Sequence, residues 1–469
     1  MPFHKITAAD ISHFSSILDA RYVHTDSEQI SRCASDQTED LHYPPEVVLQ
    51  PGSTEEVSSI MKYCNEQRIP VTPRGAGTGL SGGALPVFGG VALDMKRFNK
   101  ILHIDKRNFQ VTTEPGVITQ ELQEQLKAEG LFYPPDPASK GSCFIGGNVS
   151  ENSGGPRAVK YGVVKDYVLN LEIVLPDGQV IWTGANVLKN ATGYNLTQLI
   201  VGSEGTLAVI TKIVLRLIPA VKHDLLLLVP FRSPVEACAA VNAIFLAGYT
   251  PSALEFMERD ALEWSMRYVQ STGISLPEDI AAHLLIEVDG NHTDELYRDA
   301  EAISQIVQQY DIGEILFADS HEQKQMLWTL RRKVGEAVKS NSIYKEEDTV
   351  VPRAELPELL QIIKKLGKEY GFRSVCYGHA GDGNLHVNIV KGEMSDDDWK
   401  TKLPLGIRQL FKEVTRLGGT LSGEHGIGLV QKEYMDIAFS ETQLLLMRQI
   451  KQVFDPNGIL NPGKILINP

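Results

Sequence analysis

The sequence predicts an α+β protein with roughly two to four structural units. Its 469 residues, 42% of them hydrophobic, exceed what one ordinary core holds. An apolar run, a helical stripe and a second apolar run follow one another over residues 47–72, which indicates a βαβ unit. After Pro219 the order changes to βαββαβ, so a second domain is expected to begin there.

The first unit opens with a strand at 47–49. Ser53, with Glu56 three residues later, predicts a capping box at the start of a helix. Apolar residues at positions 57, 60, 61 and 64 of this helix have the spacing of one buried face. A returning strand at 69–71 completes the unit, and a further strand is expected at 91–93.

A glycine-rich loop, RGAGTGLSGGA at 74–84, connects those last two strands. Gly77, Gly79 and Gly82 match the dinucleotide fingerprint G-x-G-x-x-G, but that fingerprint must open a helix, and a strand follows here. We therefore predict a phosphate cradle of a different fold, in which backbone N–H groups bind the anion and Arg74 adds positive charge. A tight turn that binds nothing is the alternative.

Two further segments carry the same signal. Residues 142–156, SCFIGGNVSENSGGP, consist mostly of Gly, Ser and Asn, and a loop of that length is usually functional. VGSEGTL at 201–207 precedes a β-branched run that indicates a core strand. Between them, Asp177-Gly178 predicts a hairpin turn that joins strands at 168–175 and 180–182. One α+β domain with glycine-rich edges around a common ligand accounts for residues 40–220.

The second domain is predicted to alternate strands and helices in the manner of a ferredoxin-like sheet. Its elements are expected at 225–229, 234–246, 254–257, 283–288, 294–310 and 314–317. A βαβ-like segment follows from residue 350, and further helices lie near 407–417 and 441–453. The predicted domains, the first with an N-terminal helical extension, are 1–220, 221–415 and 416–469.

Composition excludes several classes of protein. The formal charge is −14, and no stripe of Lys and Arg appears, which argues against a nucleic acid partner. Neither a signal peptide nor an apolar run of about 18 residues is present, so no transmembrane segment is expected. Five cysteines without a CxxC pair disfavour a disulfide framework and an iron-sulfur cluster. We expect a cytoplasmic chain with reduced thiols, or one peripheral at the inner face of the membrane.

The segment YGHAGDGNLHVN at 377–388 carries the clearest chemical signal. If Asp382-Gly383 is a two-residue hairpin turn, His379 lies directly opposite His386. Cross-strand partners have Cβ atoms about 4.5 to 5.5 Å apart, a separation that lets two imidazoles share one metal. Asn388 would lie on the same face.

A carboxylate and another imidazole occur in GEHGIG at 423–428. Glu424 can complete a set of two histidines and one carboxylate with an open coordination position. Two surface histidines and an unrelated turn are the alternative reading of both segments.

A resemblance to a known family rests on five segments: PRGAGTGLSGGA, PPDPASKGSCFIGGNVSENSGG, GSEGTL, GHAGDGNLHVN and SGEHGIG. Together they resemble the FAD-linked D-2-hydroxy acid dehydrogenases of the vanillyl-alcohol oxidase superfamily. This group includes D-lactate dehydrogenase, D-2-hydroxyglutarate dehydrogenase and the flavin-carrying component of glycolate oxidase. The resemblance covers nearly the whole chain, from residues 43–57 to residues 455–466.

The resemblance implies a two-subdomain FAD-binding domain, a ferredoxin-like substrate cap domain and a C-terminal helical segment. FAD is expected to be noncovalent, because no histidine lies in the glycine-rich loops. The residues assigned to FAD are Arg74, Gly75, Ala76, Gly77, Thr78, Gly79, Leu80, Pro135, Asp136, Ser139, Gly146, Gly147, Asn148, Ser150, Asn152, Gly154, Glu204, Gly205, Ile210 and Asn461.

Family kinship also assigns roles around the substrate. One divalent metal (Zn, Mn or Fe) is expected on His379, His386 and Glu424, and His425 is expected to be the base. The remaining catalytic assignments are Arg331 for the substrate carboxylate, a lysine that aligns near Lys345, and Asn388.

The implied reaction is oxidation of a D-2-hydroxy acid to the 2-oxo acid, with the proton passing to His425 and hydride to flavin N5. D-lactate or glycolate is favoured over D-2-hydroxyglutarate, because Gly335 stands where the hydroxyglutarate enzymes carry a threonine. The electron acceptor is expected to be a quinone, a cytochrome, an electron-transferring flavoprotein or an iron-sulfur subunit. Alternatives are an O₂-using oxidase, an alkyl-glycerone-phosphate-type synthase, a metal-dependent hydrolase and a noncatalytic subunit.

Overall fold

The computed structural model describes residues 3–38, 41–270 and 273–467. Its first sheet has four strands: Val23–His24 (β1), Val47–Leu49 (β2), Val71–Arg74 (β3) and Val91–Asp94 (β4). Three helices accompany it: Ala8–Ile17 (α1), Ser27–Cys33 (α2) and Thr54–Gln67 (α3). The strand order is β1-β2-β4-β3, with β2, β4 and β3 parallel.

The βαβ prediction for this sheet is confirmed. The Ser53 side chain accepts the N–H of Glu56 at the start of α3, as the capping signal indicated. The apolar stripe of α3, which includes Val57 and Ile60, is buried against the sheet. Because β3 is parallel to its neighbour and ends at Arg74, the glycine-rich loop begins at the carboxyl edge of the sheet.

The second part of the N-terminal region contains a five-stranded antiparallel sheet of order β5-β6-β10-β8-β9 and a separate β7-β11 pair. Its strands are Ile101–Asp105 (β5), Gln110–Thr113 (β6), Leu131–Phe132 (β7), Val168–Val174 (β8), Val180–Trp182 (β9), Val209–Arg216 (β10) and Ile218–Pro219 (β11). Its helices are Thr119–Ala128 (α4), Ile145–Glu151 (α5), Ala158–Tyr161 (α6) and Leu196–Ile200 (α7).

Two predictions for this part have different outcomes. The hairpin at Asp177-Gly178 is confirmed, with Gly178 at a φ of 88° between the antiparallel strands β8 and β9. The loop expected at 142–156 is wrong in part, because residues 145–151 form α5. Helix α5 ends at Asn152, whose left-handed φ of 56° turns the chain away.

Residues 223–416, called the cap region below, are built on one seven-stranded antiparallel sheet. Its strands are His223–Phe231 (β12), Ala253–Glu258 (β13), Ala282–Gly290 (β14), Leu316–Ala318 (β15), Tyr344–Val350 (β16), Arg373–Gly378 (β17) and Asn384–Val390 (β18). Its helices are Pro234–Leu246 (α8), Arg259–Val269 (α9), Thr293–Val307 (α10), His321–Arg332 (α11), Val334–Asn341 (α12), Leu356–Tyr370 (α13), Asp396–Thr401 (α14) and Leu403–Arg416 (α15).

The sheet order is β15-β12-β14-β13-β17-β18-β16. Its first four strands therefore have the 4-1-3-2 arrangement of the predicted ferredoxin-like unit, and three further strands extend the same sheet. Helices α8, α10, α13 and α15 pack on one face, and α9, α11 and α12 pack on the other. The second face also carries the charged residues described below.

The C-terminal segment returns to the N-terminal region. It contains the helices Met435–Ala438 (α16) and Glu441–Phe454 (α17), after which Leu460 forms a parallel bridge with Val71 of β3. Among the described residues, no helix has the length and apolarity that a membrane crossing requires.

Candidate active site

A cleft lies between the glycine-rich loops of the N-terminal region and the sheet of the cap region. It holds two cavities of about 90 Å³ and about 710 Å³. Gly75, Ala84, Gly147 and Glu151 line both cavities, so the two form one continuous space. The smaller cavity lies within the N-terminal region, and the larger one also reaches the histidines of the cap region.

Two adjacent glycines of α5 explain how the cleft is kept open. A Cβ on Gly146 would lie 2.4 Å from the Cβ of Pro115, so this glycine lets α5 pack tightly against the chain before it. A Cβ on Gly147 would meet no protein atom within 4 Å, because this position faces the cavity. The bare backbone at Gly147 therefore leaves room for a ligand.

Most residues assigned to FAD from the sequence line this space. They are Arg74, Gly75, Ala76, Gly77, Thr78, Gly79, Leu80, Ser139, Gly146, Gly147, Asn148, Ser150, Glu204, Gly205 and Ile210. The other assigned residues line neither cavity: Pro135, Asp136, Asn152, Gly154 and Asn461. Asp136, for example, accepts from Arg332 of the cap region at 2.7 Å, and Asn461 donates to the carbonyls of Gly83 and Glu204 at 2.9 and 2.8 Å.

Arg74, which is predicted to add charge for a phosphate, lines the smaller cavity but bonds to backbone carbonyls. Its Nη2 donates to the carbonyls of Ser35 at 2.7 Å and Arg32 at 3.2 Å, and its Nη1 contacts those of Cys33 and Ala84 at 3.5 Å. The first three carbonyls lie at the end of α2 or just after it, and that of Ala84 lies at the end of the glycine-rich loop, so the guanidinium ties the two segments together. Its charge-bearing nitrogens are directed at backbone.

The histidine segment of the cap region differs from the predicted two-residue hairpin. Residues 379–383 connect β17 to β18 through a turn of 3₁₀ helix, and Tyr377 is the residue paired with His386. The extra residues rotate the His379 side chain toward the same face, and the two imidazole centroids lie 5.3 Å apart. The predicted register is wrong, but the two histidines still meet.

Glu424 joins these histidines to form the predicted three-residue set. Its Oε1 lies 3.1 Å from Nε2 of His379 and 3.5 Å from Nε2 of His386. The three ligand atoms lie within 4.8 Å of one another, a spacing that could hold a metal ion. Two imidazoles and one carboxylate are donors that Zn, Mn and Fe accept.

Two of the three groups have charge states that suit a cation. Burial lowers the pKa of His386 to about 3, so its imidazole is neutral and has a free lone pair. Burial opposes ionisation of Glu424, but the surrounding imidazoles, His379 first, outweigh it and lower its pKa to about 2. The carboxylate is therefore negative across the neutral range. For the third, burial opposes the charged imidazolium of His379, but the carboxylates of Glu255 and Glu424 outweigh it and raise its pKa well above the ordinary value, so a cation must displace a proton there.

Arg331 enters the larger cavity from the end of α11 and is 4% exposed. Its Nη2 lies 2.6 Å from Oε2 of Glu255 in a charge contact, while its Nε has no hydrogen-bond partner among the described residues. The guanidinium carbon also lies 4.9 Å from the ring centre of Tyr377. A buried cation with an unpaired donor suits a ligand carboxylate.

The carboxylate of Asp348 fixes the backbone at His425. Oδ2 of Asp348 accepts the backbone N–H groups of Glu424 and His425, both at 2.8 Å, and the hydroxyl of Ser422 at 2.7 Å. The His425 ring stacks on His386 with centroids 5.0 Å apart. Burial opposes the charged imidazolium, but Asp348 and other carboxylates nearby raise the pKa of His425 above its ordinary value. His425 is thus a basic group within the cleft.

Two family models match the chain. The model of the C-terminal domain of FAD linked oxidases matches residues 221–465, more than half of the chain, and an FAD binding domain matches residues 45–184. The chain belongs to the FAD-linked oxidases. This assignment agrees with the resemblance on which the sequence prediction rested.

Individual relatives match this FAD-linked oxidase over most of its length. A D-lactate dehydrogenase from Anaerostipes hadrus is 40% identical over 425 residues, which cover 90% of this chain and 89% of that protein. Glycolate oxidase subunit GlcD from Bacillus subtilis (strain 168) is 38% identical over 433 residues, 92% of this chain and 91% of that one. Among solved structures, p-cresol methylhydroxylase with bound substrate matches with a TM-score of 0.81 at 18% identity, covering 99% of this chain and 98% of that chain. The α+β, vanillyl-alcohol oxidase-type fold is confirmed.

Two predicted site residues of this FAD-linked oxidase lie on opposite faces of the cap sheet. Lys345 pairs with Ile389, whose side chain lies in the core beneath α13 and α15, so Lys345 points away from the cleft. Asn388 pairs with Glu346 on the cleft face and is fully buried. We therefore keep Asn388 with the site and leave Lys345 out of it.

Sequence reasoning missed three acidic residues that support the site. Glu346 and Asp348 alternate along β16 and face Asn388 and His386, and Glu255 reaches His379 from β13. The alternation of β16 was visible in YKEEDTV, but its pairing with β18 was not. No local signal links Glu255 to a histidine 124 residues away.

Proposed function

We propose that this chain is a dehydrogenase that uses noncovalent FAD and one divalent metal to oxidise a D-2-hydroxy acid, such as D-lactate or glycolate, to the 2-oxo acid. The observation that carries the proposal is one continuous cleft with two unlike ends. Glycine-rich backbone lines one end, and the other gathers His379, His386, Glu424 and His425 beside Arg331. D-lactate dehydrogenase and glycolate oxidase relatives support this substrate class.

The side of the cleft that the N-terminal region forms, called the N-terminal wall below, fits an elongated dinucleotide. Residues 75–80 present backbone along the larger cavity, and Gly146, Gly147 and Gly205 continue the wall into the smaller one. A loop rich in glycine lets N–H groups approach phosphate oxygens closely. We assign these residues to FAD, with the pyrophosphate near the loop.

The opposite side of the cleft carries the histidines, Glu424 and Arg331 and is called the cap wall below. It fits the reacting acid. When bound, FAD accepts a hydride equivalent from the substrate, and a divalent cation lowers the pKa of a hydroxyl that it coordinates. Arg331 binds the carboxylate through its unpaired Nε. His379, His386 and Glu424 hold the cation, and their positions on one side of the cleft orient the neighbouring hydroxyl of the acid.

The proton of that hydroxyl passes to an imidazole nitrogen of His425. The carboxylates that surround His425 stabilise the imidazolium that forms, because they raise its pKa. Asp348 keeps the ring in place through the two backbone N–H groups that it accepts. Asp348 is itself buried, which shields these contacts from water.

An anaerobic visible spectrum tests the proposal. The purified protein is mixed in turn with D-lactate, glycolate, D-2-hydroxyglutarate and the L enantiomers of the chiral acids. We expect a flavin spectrum that D-lactate or glycolate bleaches and that the L acids leave unchanged. A flavin that no 2-hydroxy acid reduces would contradict the reaction, and a colourless protein that FAD cannot reconstitute would contradict the cofactor.

The electrons must then leave the flavin for an acceptor. We propose a quinone, a cytochrome, an electron-transferring flavoprotein or an iron-sulfur subunit, in a cytoplasmic enzyme or one peripheral at the inner face of the membrane. Reoxidation of the reduced protein by air serves as the discriminating measurement. Slow reoxidation by O₂ together with fast reoxidation by a quinone analogue or a dye is expected of a dehydrogenase, and fast production of peroxide would instead identify an oxidase.

A further inference from the structure

We infer that Glu255 is a positioning residue that joins the metal ligand His379 to the substrate-binding Arg331. Glu255 lies on β13 and is fully buried, yet none of the steps above uses it. Its carboxylate stands between the two groups and contacts both. The inference rests on the proposed function, since it assigns Glu255 to the same metal site.

The contact with His379 decides which imidazole nitrogen faces the metal. Both carboxylate oxygens of Glu255 lie 2.9 Å from Nδ1 of His379, while Nε2 of the same ring faces Glu424 at 3.1 Å. Because a carboxylate paired with a guanidinium acts as an acceptor, Nδ1 carries the proton and donates it. A cation that binds therefore displaces the proton on Nε2 and takes the lone pair of that nitrogen, where the other two ligands converge.

The contact with Arg331 supplies the second half of the link. Oε2 of Glu255 lies 2.6 Å from Nη2 of Arg331, and both side chains are buried. A buried guanidinium without a counter-ion would destabilise the fold, so Glu255 keeps Arg331 inside the cleft. The contact leaves Nε of Arg331 unpaired for a carboxylate of the substrate. One side chain thus orients a metal ligand and retains the cation that binds the acid.

Glu258 offers a matched control on the same strand. It is also buried and bound to a cation, with Oε2 2.8 Å from Nζ of Lys364 and 2.7 Å from the backbone N of Cys376. It lies three positions after Glu255 on the strand, so it faces the opposite side of the sheet. Glu258→Gln therefore removes a buried carboxylate without touching the cleft.

The test measures zinc affinity in FAD-loaded protein without substrate. Metal is removed with a chelator, and Zn²⁺ is titrated against a competing indicator dye for the wild type, Glu255→Gln, Glu255→Asp and Glu258→Gln. Loss of such a supporting contact typically weakens metal binding by about 10- to 100-fold. We expect that rise in Kd for Glu255→Gln, an intermediate value for Glu255→Asp, and a value within about twofold of wild type for Glu258→Gln.

The outcomes separate this inference from the proposed function. A wild type that binds zinc, with an equal Kd in Glu255→Gln, overturns the role of Glu255 and leaves the metal site standing. A wild type that binds no zinc overturns both. If Glu255→Gln does not fold, the Kd of Glu255→Asp decides, because that variant keeps the charge and shortens the reach.

A double-mutant cycle tests whether one carboxylate serves both partners. Arg331→Met leaves the charge of Glu255 to His379 alone, so we expect zinc to bind several-fold more tightly. The same change made in Glu255→Gln should leave the zinc Kd of that variant unaltered. Equal effects of Arg331→Met in both backgrounds would show that the two contacts are independent and would overturn the link.

Discussion

The two walls of the cleft are built in different ways. On the N-terminal wall, glycines such as Gly75 and Gly147 leave the backbone bare, and we propose that main-chain N–H groups bind the ligand there. On the cap wall, side chains supply the chemistry, and buried carboxylates such as Glu255 and Asp348 fix the imidazoles. The N-terminal wall depends on the absence of side chains, and the cap wall depends on the charges of its side chains.

This difference predicts how each wall fails. A backbone wall is sensitive to added volume, because a single Cβ occupies space that the ligand needs. A side-chain wall is sensitive to lost charge, because its groups are buried or half-buried and depend on their neighbours. Substitutions on the cap wall should therefore reduce the rate of reaction, and substitutions on the N-terminal wall should reduce FAD affinity.

The largest effect is expected from His425→Ala on the cap wall. Removing a general base typically slows a reaction by about 10²- to 10⁴-fold. We expect anaerobic flavin reduction by the preferred 2-hydroxy acid to slow by that factor, measured by stopped-flow absorbance, while the flavin absorbance of the purified protein stays unchanged.

His103→Ala provides the comparison, because His103 is exposed on β5 and lies outside both cavities. It should reduce its flavin at the wild-type rate. A wild-type rate in His425→Ala as well would remove His425 from the role of base.

A contrasting pair of substitutions in α5 tests the N-terminal wall. Gly147→Ala should bind FAD about 5- to 150-fold more weakly, since the new methyl group enters the cavity at a cost of about 1–3 kcal/mol. The apoprotein of this variant should be as stable as wild type or slightly more so, because alanine is the better helix former. Thermal unfolding of the apoprotein and FAD titration by fluorescence quenching measure the two effects.

Gly146→Ala is the matched control for that variant. Its Cβ would collide with Pro115, so the apoprotein itself should be destabilised. Equal loss of apoprotein stability in both variants would show that Gly147 is needed for packing and would contradict its assignment to the ligand.

The sequence reveals local features of this molecule better than its long-range ones. The start of α3 at Ser53 and the turn at Asp177-Gly178 depend on residues within a few positions, and both are as predicted. The glycine-rich loops were recognisable for the same reason, since glycine reports a need for close backbone approach wherever the chain goes. The sequence alone therefore predicts which loops form the N-terminal wall.

The cap wall shows where sequence reasoning ends. The meeting of His379 with His386 was predicted through a two-residue turn, but the chain uses a 3₁₀ turn, which one motif cannot distinguish. Lys345 was placed by its neighbourhood in the sequence, although strand alternation directs it to the other face. The support from Glu255 depends on the pairing of β13 with β17, which only the fold provides.

A substitution of Arg74 tests whether this cation beside the glycine-rich loop binds the ligand or stabilises the fold. Arg74→Met removes a buried guanidinium that binds backbone carbonyls, so we expect the free energy of unfolding of the apoprotein to fall by about 1–3 kcal/mol. The FAD affinity of the folded variant should change by less than about threefold. Urea denaturation and FAD titration give the two values, and a large loss of FAD affinity at unchanged stability would restore the phosphate-binding role.

The pH dependence of stability tests Glu151, which lines both cavities of the cleft. Burial, strengthened by the nearby carboxylate of Glu204, raises the pKa of Glu151 to about 8, well above the ordinary value of 4.5. A carboxyl group whose pKa is raised by folding stabilises the folded state fully below its unfolded pKa and loses that contribution as pH rises through its folded pKa. The free energy of unfolding should therefore decline between about pH 5 and pH 8, with a slope from this one group of at most about 1.4 kcal/mol per pH unit.

Glu151→Gln removes that titration and should flatten the decline, whereas Glu121→Gln, at an exposed position of α4, should leave it unchanged. Urea denaturation of the FAD-loaded variants at several pH values measures the slopes. An unaltered slope in Glu151→Gln would mean that the carboxylate is already ionised in the folded protein. Some cation or solvent in the cleft would then have to compensate its charge, and the N-terminal wall would not be the backbone-dominated surface that distinguishes it from the cap.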